Sequence, residues 1–407
     1  MKIIKNRLRT IFMLIIKFVS LFIPKRKTTI FCFPEHITCI SNHVDIINYT
    51  ADNTLSFINY LLRNYKGAKL TVYLFYYERN RHNDYVKYVS SLDNKNMHII
   101  FVFFEKNKLQ SNLKRIVYLI KSKYIFTSNF DEERFAYKLK SQIYIALNYY
   151  TTSFKTWHKH SYKWQSDYVI TTSLLSSQIQ SAYTQAPLEK FQSLGLSRND
   201  NIVTPRFSRD QLMDLLNLSI NPDKMIVHTP THRMRNKFST KKDAINYKDS
   251  LEELNSILNK HNAFLIVAPH PSERLTINTD KNDRIVLYEP NYQYTLYDIF
   301  AHTDIFITDY TSAYFDFLLR DRPVIFNFFD IDLYEKDRGF VFDPVENICA
   351  GPIVKNIDEL FNAIEHALAG VDEYKEHRKF VTSMIYKHVD SDTSKRIFDF
   401  FESVINQ

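Results

Sequence analysis

The sequence predicts an α/β protein of two Rossmann-like domains facing each other across a cleft, and three observations carry that prediction. Short β-branched and aromatic runs alternate with helical stretches along most of the chain, at the spacing of βαβ units around a parallel sheet. A polar stretch from Leu196 to Asp223, with Pro205 and Pro222, interrupts the alternation near the middle and reads as a domain linker. The length of 407 residues, 45% of them hydrophobic, suits two domains of ordinary size.

The first 27 residues stand apart. Ile11 to Pro24 is apolar around a central Lys17; Lys2, Lys5, Arg7 and Arg9 precede it, and Lys25, Arg26 and Lys27 follow. At about 1.5 Å per residue the stretch covers about 21 Å, short of a bilayer core of roughly 30 Å. No small-residue cleavage site follows, which argues against a signal peptide. An amphipathic helix in the membrane plane fits, with its apolar face in lipid and its cations near anionic headgroups. The alternative is a helix packed on the protein's own core.

Residues 28–205 form the first domain. Its strands are expected at Thr29–Phe33, Leu70–Tyr76, His98–Phe104, Tyr124–Thr127, Ile143–Leu147 and Tyr168–Thr172, with helices such as Asn53–Asn64 and Lys108–Ile120 between them. Residues 222–390 form the second, with strands at Met225–His228, Ala263–Ala268, Arg284–Leu287, Ile305–Thr308 and Val324–Phe328. Its helices fall near Ser250–Asn259, Leu296–His302, Ser312–Leu319 and Ile357–Leu368. The tail reads as two further helices, the last within 391–407.

The net charge of +8 favours anionic partners such as a membrane surface, a nucleotide or a phosphorylated polymer. No RNA- or DNA-binding motif accompanies it. Three scattered cysteines (Cys32, Cys39, Cys349) suit neither a disulfide framework nor a zinc site. No metal is assigned: Asp330-Ile-Asp332 lies in a loop after a strand with no second acidic cluster nearby.

Ligands of such sheets sit outside the carboxyl ends of the strands, so the informative residues lie just after them. Only five glycines exist, and neither GxGxxG nor a P-loop can be written. Phosphate must be held another way. The strand Ile305–Thr308 runs into Asp309-Tyr310-Thr311-Ser312, where a helix start offers free N–H groups and Thr311 and Ser312 add hydroxyls. Asp309 braces that turn or accepts from a ligand hydroxyl. Plain N-capping by these residues explains the pattern equally well. His270, between two prolines at another strand end, is placed to bind phosphate or transfer a proton. The turn His228-Thr-Pro-Thr231-His232-Arg233 ends a third strand, and Arg233 can grip a pyrophosphate.

Together these segments resemble the CDP-glycerol glycerophosphotransferases, the teichoic-acid and capsule primases and polymerases. The likeness is strongest in ITDYTSAYFDFLLRDRPVIFNFFDIDLYEKDRGFVFDP and the following GPIV, close to the family's threonine-aspartate-tyrosine-serine-serine block. HTPTHR resembles its proline-threonine-tryptophan-arginine turn, with His232 in place of tryptophan. PHP resembles its histidine-proline motif. LGLSRND, which holds Arg198 and Asp200, resembles a glycine-x-proline-arginine-asparagine-aspartate segment. The resemblance covers most of residues 28–390 and is faint in the N-terminal half.

It implies a GT-B fold, a peripheral place on the cytoplasmic face of the cell membrane, and CDP-glycerol or CDP-ribitol as donor, with no further cofactor. His270 would contact the donor phosphates or assist the leaving group. Thr231, Arg233, Asp309, Thr311, Ser312, Arg198 and Asp200 would bind substrate. One departure stands out: the family's tryptophan-histidine-glycine motif, whose His is taken as the base, aligns with Tyr149-Tyr150-Thr151. Tyr150 occupies the His position, and a tyrosine of pKa about 10 is a poor base at neutral pH. His158 or His160 can replace it. The expected reaction moves alditol phosphate to a lipid-linked or polymeric acceptor hydroxyl and releases CMP. A nucleotide-sugar glycosyltransferase and a non-catalytic nucleotide or polymer binder stay open as alternatives.

Overall fold

The structure, a computed structural model, describes residues 16, 18, 20–21, 26–32, 35–36, 49–50, 52–77, 91, 94–104, 116–127, 139–148, 151–156, 166–218, 222–231, 250–269, 284–288 and 294–405. The first half contributes β1 (Arg26–Cys32), the short antiparallel pair β2 (Glu35–His36) and β3 (Tyr49–Thr50), then β4 (Leu70–Tyr77), β5 (Met97–Phe104), β6 (Ser122–Thr127), β7 (Ile143–Ala146), β8 (Tyr168–Thr171) and β9 (Phe191–Ser193). All but β2 and β3 form one parallel sheet in the order β5-β4-β1-β6-β7-β8-β9. The second half contributes β10 (Lys224–Thr229), β11 (Ala263–Val267), β12 (Ile285–Leu287), β13 (Ile305–Thr308), β14 (Val324–Asn327) and β15 (Ile353–Val354). They form a second parallel sheet in the order β12-β11-β10-β13-β14-β15.

Both faces of the second sheet are covered, which is why its strands are apolar throughout rather than alternating. Met225 and Val227 of β10 join Phe264, Ile266 and Phe306 in one core, while Ile226 between them joins Leu265, Val267, Ile305 and Ile307 in the other. The edge strand β15 starts beside Gly351, where a Cβ would lie 1.9 Å from the Val324 carbonyl oxygen. A glycine there lets β14 and β15 meet.

The expected strands all appear, within a few residues of their predicted ends. The edge strands β9 and β15 go beyond them, being too short to leave a periodic signal. The polar stretch after Leu196 differs from an open linker. It folds into helices Asp200–Val203 and Arg209–Leu215, and Ile202 and Leu212 are fully buried in the core around Met225 and Phe306. A reciprocal capping box of Ser208 and Gln211 starts the second of these helices.

The two halves are interlocked. The segment after β7 crosses over: Phe154, fully buried, packs on Tyr314, Phe315 and Phe326 with ring centroids 5.0–6.2 Å away. Val341 N–H donates to the Phe154 carbonyl at 2.8 Å, and Thr156 N–H to the Gly339 carbonyl at 3.1 Å. In return the last helix, Thr393–Ile405, packs on the first sheet, where Phe401 stands edge-on to Tyr124 and Phe126 at 5.0 and 5.1 Å.

Most of the N-terminal amphipathic segment lies outside the described residues. Of those described, Ile16 packs with Ile120 and Leu139, whereas Phe18 and Leu21 are 63% and 78% exposed. Among the described residues no helix is long and apolar enough to cross a membrane.

Candidate functional site

β10 lies between β11 and β13, so the carboxyl ends of three neighbouring strands converge. His228 is level with Val267 on one side and Ile307 on the other, and Thr229 is level with Thr308. At this edge the apolar pattern gives way to polar side chains. Thr229, Thr308 and, on the next strand, Asn327 are buried. Among the described residues, Thr229 Oγ1, Thr308 Oγ1 and Asn327 Oδ1 find no hydrogen-bond partner. Each such orphan costs about 1–3 kcal/mol. Three of them on adjacent strand ends mark a place where water or a ligand supplies the missing partners.

Asp309, the first residue beyond β13, is buried and used as a clamp. Thr231 N–H donates to both its carboxylate oxygens, at 3.0 and 2.9 Å, and the Thr231 hydroxyl donates to Oδ1. Tyr310 N–H adds a bond to Oδ1 at 2.7 Å. Of the two tasks the sequence allows for Asp309, the geometry shows the bracing one. It fixes the turn after β10 against the turn after β13.

Thr311 and Ser312 follow, both partly exposed. Ala313 N–H donates to Thr311 Oγ1 at 3.3 Å, while the Ser312 hydroxyl caps nothing. The amides of Tyr314 and Phe315 turn back onto the Thr311 and Ser312 carbonyls, and among the described residues no acceptor is found for the amides of Thr311 and Ser312. The helix behind them is shorter than the sequence suggests: Ala313–Phe317, then a single 3-10 turn Leu318–Arg320. Its dipole is correspondingly short. The turn therefore presents local N–H and hydroxyl groups rather than a long helix dipole.

Arg198 and Asp200 take other partners. The Arg198 guanidinium is buried, lies 4.7 Å from the centre of the Tyr297 ring, and donates through Nη2 to Asp316 Oδ2 at 2.7 Å. The Asp200 carboxylate accepts from the amides of Thr393 and Ser394, each at 2.8 Å, and so caps the returning C-terminal helix. Burial pushes its pKa up to about 6 against the opposing pull of these bonds. Thr231, Asp309, Thr311 and Ser312 therefore form one cluster at the strand ends, while Arg198 and Asp200 hold the junction of the two halves. Asp330 accepts from the Tyr310 hydroxyl at 2.9 Å. Among the described residues no group of three or more His, Cys, Asp or Glu could hold a metal ion.

His270, Arg233, Tyr150 and His158 lie outside the described residues; the nearest described positions are Pro269, Thr231, Thr151 and Thr156. Ala268 N–H donates to the His228 carbonyl at 2.8 Å, so the chain enters position 270 from the strand edge that ends in Thr229. β11 and β13 flank β10, so their ends are two strand spacings, about 10 Å, apart. Position 233 follows the clamped Thr231. Position 150 lies between Asn148 and Thr151, both anchored. Asn148 Nδ2 donates to the Ile170 carbonyl at 3.0 Å, and Thr151 Oγ1 donates to Asp316 Oδ1 at 2.5 Å.

Asp316 and the orphaned Thr229, Thr308 and Asn327 were not among the expected site residues. A signal for Asp316 existed, since an acid inside the apolar run Ala313-Tyr-Phe-Asp-Phe-Leu-Leu319 needs a buried partner. Polar residues at the last position of an apolar strand were the signal for the other three.

Comparison with known proteins identifies the family and the fold. A family model described as CDP-Glycerol:Poly(glycerophosphate) glycerophosphotransferase matches residues 41–403. The chain is similar to a teichoic acid poly(glycerol phosphate) polymerase of Bacillus spizizenii, 28% identical over 244 residues, 59% of this chain and 60% of that protein. It is 32% identical over 155 residues to a teichoic acid ribitol-phosphate primase of the same organism, 38% of each chain. To a teichoic acid glycerol-phosphate transferase of Staphylococcus aureus it is 27% identical over 243 residues, 59% of this chain and 60% of that protein. The matched spans are thus less than two thirds of these relatives' own length. Among solved structures, the wall teichoic acid polymerase TagF superposes with a TM-score of 0.72 at 18% identity, covering 94% of this chain and 90% of that one. A UDP-N-acetylglucosamine 2-epimerase reaches 0.55 at 13% identity, covering 93% and 96%. These likenesses show a shared two-domain α/β fold of the GT-B kind.

Proposed function

Because the chain belongs to the CDP-glycerol:poly(glycerophosphate) glycerophosphotransferase family, we propose that it transfers glycerol phosphate or ribitol phosphate from a CDP-alditol to an acceptor hydroxyl in teichoic acid synthesis. The acceptor oxygen attacks the β-phosphorus, its bond to the bridging oxygen breaks, and CMP leaves with that oxygen. The proton of the acceptor hydroxyl passes to a base. The protein's contribution is to align the two substrates and to offset charge as it builds on the diphosphate.

The observation that carries this reading is the row of unpartnered buried polar atoms on Thr229, Thr308 and Asn327, beside the uncapped Ser312 hydroxyl. A diphosphate is rich in acceptor oxygens, and the hydroxyls of Thr229, Thr308 and Ser312 and the backbone amides of this edge are donors; Asn327 Oδ1, an acceptor, suits a hydroxyl of the donor instead. Thr311 and Ser312 hold the phosphates, Thr231 shapes the opposite wall through Asp309, and Arg233 and His270 add charge and a proton donor at the leaving group. Arg198 and Asp200 keep the surrounding fold in place. Deprotonation falls to a group of the first domain near position 150, with His158 favoured over Tyr150 because an imidazole titrates near neutral pH.

We further place the protein on the cytoplasmic face of the membrane. Phe18 and Leu21 expose apolar surface among flanking lysines and arginines, a pattern suited to an anionic lipid surface. Incubation with CDP-glycerol or CDP-ribitol and a lipid-linked acceptor should release CMP in proportion to acceptor extended. Absence of CMP release with both donors would overturn the reading.

A further inference from the structure

We propose that Asp316 is a positioning residue that locks the acceptor-side turn after β7 to the donor-side turn at Thr311-Ser312, an inference that rests on the transferase reading above for its catalytic consequence. Asp316 sits four residues beyond Ser312, on the helix that the turn opens, and is completely buried. Its two oxygens are divided between two segments of the chain. Oδ1 accepts from Thr151 Oγ1 at 2.5 Å, and Oδ2 accepts from Arg198 Nη2 at 2.7 Å. Thr151 is also fully buried and Arg198 nearly so.

The link continues on both sides. Arg198 N–H donates to Asn53 Oδ1 at 3.1 Å, and Asn53 Nδ2 donates to the Asn148 carbonyl at 2.6 Å. Asn148 and Thr151 stand on either side of position 150 in the chain, and both are tied into one set of bonds. On the donor side, Asn199 Nδ2 donates to the Tyr386 hydroxyl at 3.1 Å, which donates to the Phe315 carbonyl at 3.0 Å. The same helix is thus held through its backbone at 315 and its side chain at 316.

A buried ion pair is a weak source of stability, because desolvation of both charges offsets their attraction. Its strength lies in geometry. A carboxylate that must meet a hydroxyl and a guanidinium at once fixes three segments relative to one another within hydrogen-bond tolerance. Transfer between substrates held on two domains depends on such placement, since an error of 1 Å costs about 10²-fold in rate. Aromatic packing of Phe154 already supplies adhesion between the halves, so the polar trio is available to set register.

Thr151→Val tests this with little change of volume, because it removes the hydroxyl and leaves the Arg198–Asp316 pair intact. The expected result is a kcat at least tenfold lower, with the KM for CDP-glycerol and the affinity for CDP within twofold of the wild type. Thr151→Ser restores the hydroxyl and should recover kcat to within twofold. Hydrogen exchange, which needs no turnover, should show faster exchange in Thr151→Val at both 148–156 and 311–317. A kcat within twofold of the wild type, a loss not rescued by serine, or faster exchange confined to 148–156 would overturn the proposal. If the wild type itself releases no CMP, the transferase reading fails and the exchange result alone decides whether the two turns are coupled.

Discussion

Asp309 holds Thr231 across the ends of two adjacent strands, its oxygens 3.0 and 2.9 Å from one amide nitrogen. The clamp makes the turn after β10 and the turn after β13 a single rigid wall. Asp309→Ala would strand the buried amides of Thr231 and Tyr310, at a cost of roughly 3 kcal/mol. Urea unfolding measures it, and Asp309→Asn, which keeps one acceptor, should lose less. A change below about 0.5 kcal/mol in the alanine variant would mean that water replaces the carboxylate and that the wall is not built this way.

Ser312 separates binding from stability. Its hydroxyl caps nothing in the folded chain, so Ser312→Ala should leave the unfolding midpoint unchanged. A hydrogen bond to a charged oxygen is worth about 1.5–3 kcal/mol, so calorimetric titration with CDP should show affinity at least tenfold weaker. The opposite pattern, a lower midpoint with unchanged affinity, would return this turn to simple capping.

Asp200 predicts a pH dependence of unusual sign. Its folded-state pKa is raised from the ordinary 3.8 to about 6 by burial, so the folded state binds the proton more tightly than the unfolded chain. Its contribution is therefore most favourable below about pH 4 and declines as pH rises to about 6. The decline is on the order of 3 kcal/mol, and above that pH the contribution stays constant. Asp200→Asn cannot ionise and still caps the C-terminal helix, so its stability should rise relative to the wild type across that interval. Denaturant midpoints from pH 4 to pH 7 test this; parallel curves would show that the carboxyl titrates normally.

For the chemistry, His270→Ala should lower kcat by about 10²–10⁴-fold, the usual worth of a general acid or base. An imidazole base would place the acidic limb of the rate profile near pH 6.5 and a phenolate near 10. We expect the former, abolished by His158→Ala and retained in Tyr150→Phe. A limb near pH 10 that vanishes in Tyr150→Phe would reassign the base to the tyrosine.

Strand positions were legible because parallel strands covered on both faces are written as uninterrupted apolar runs, as in Ala263–Val267, buried at every residue. The edge strand Ile353–Val354 was not, since two residues carry no period. The stretch after Leu196 read as a linker because prolines and charges are scattered among its apolar residues, yet Ile202, Leu212 and Met213 anchor it in the core. In the site, Thr231, Asp309, Thr311 and Ser312 were found by their place after strands. The roles of Arg198, Asp200 and Asp316 were hidden because each depends on a partner more than 100 residues away, such as Asp316 for Arg198 and Thr393 for Asp200.

The most direct test of the account is the structure of the protein with CDP-glycerol bound. The diphosphate is predicted within hydrogen-bond distance of the Ser312 hydroxyl and the Thr311 and Ser312 amides, with the side chain of His270 facing it from beyond β11. A nucleotide bound elsewhere, or a diphosphate seated at this edge with His270 turned away from it, would contradict the account.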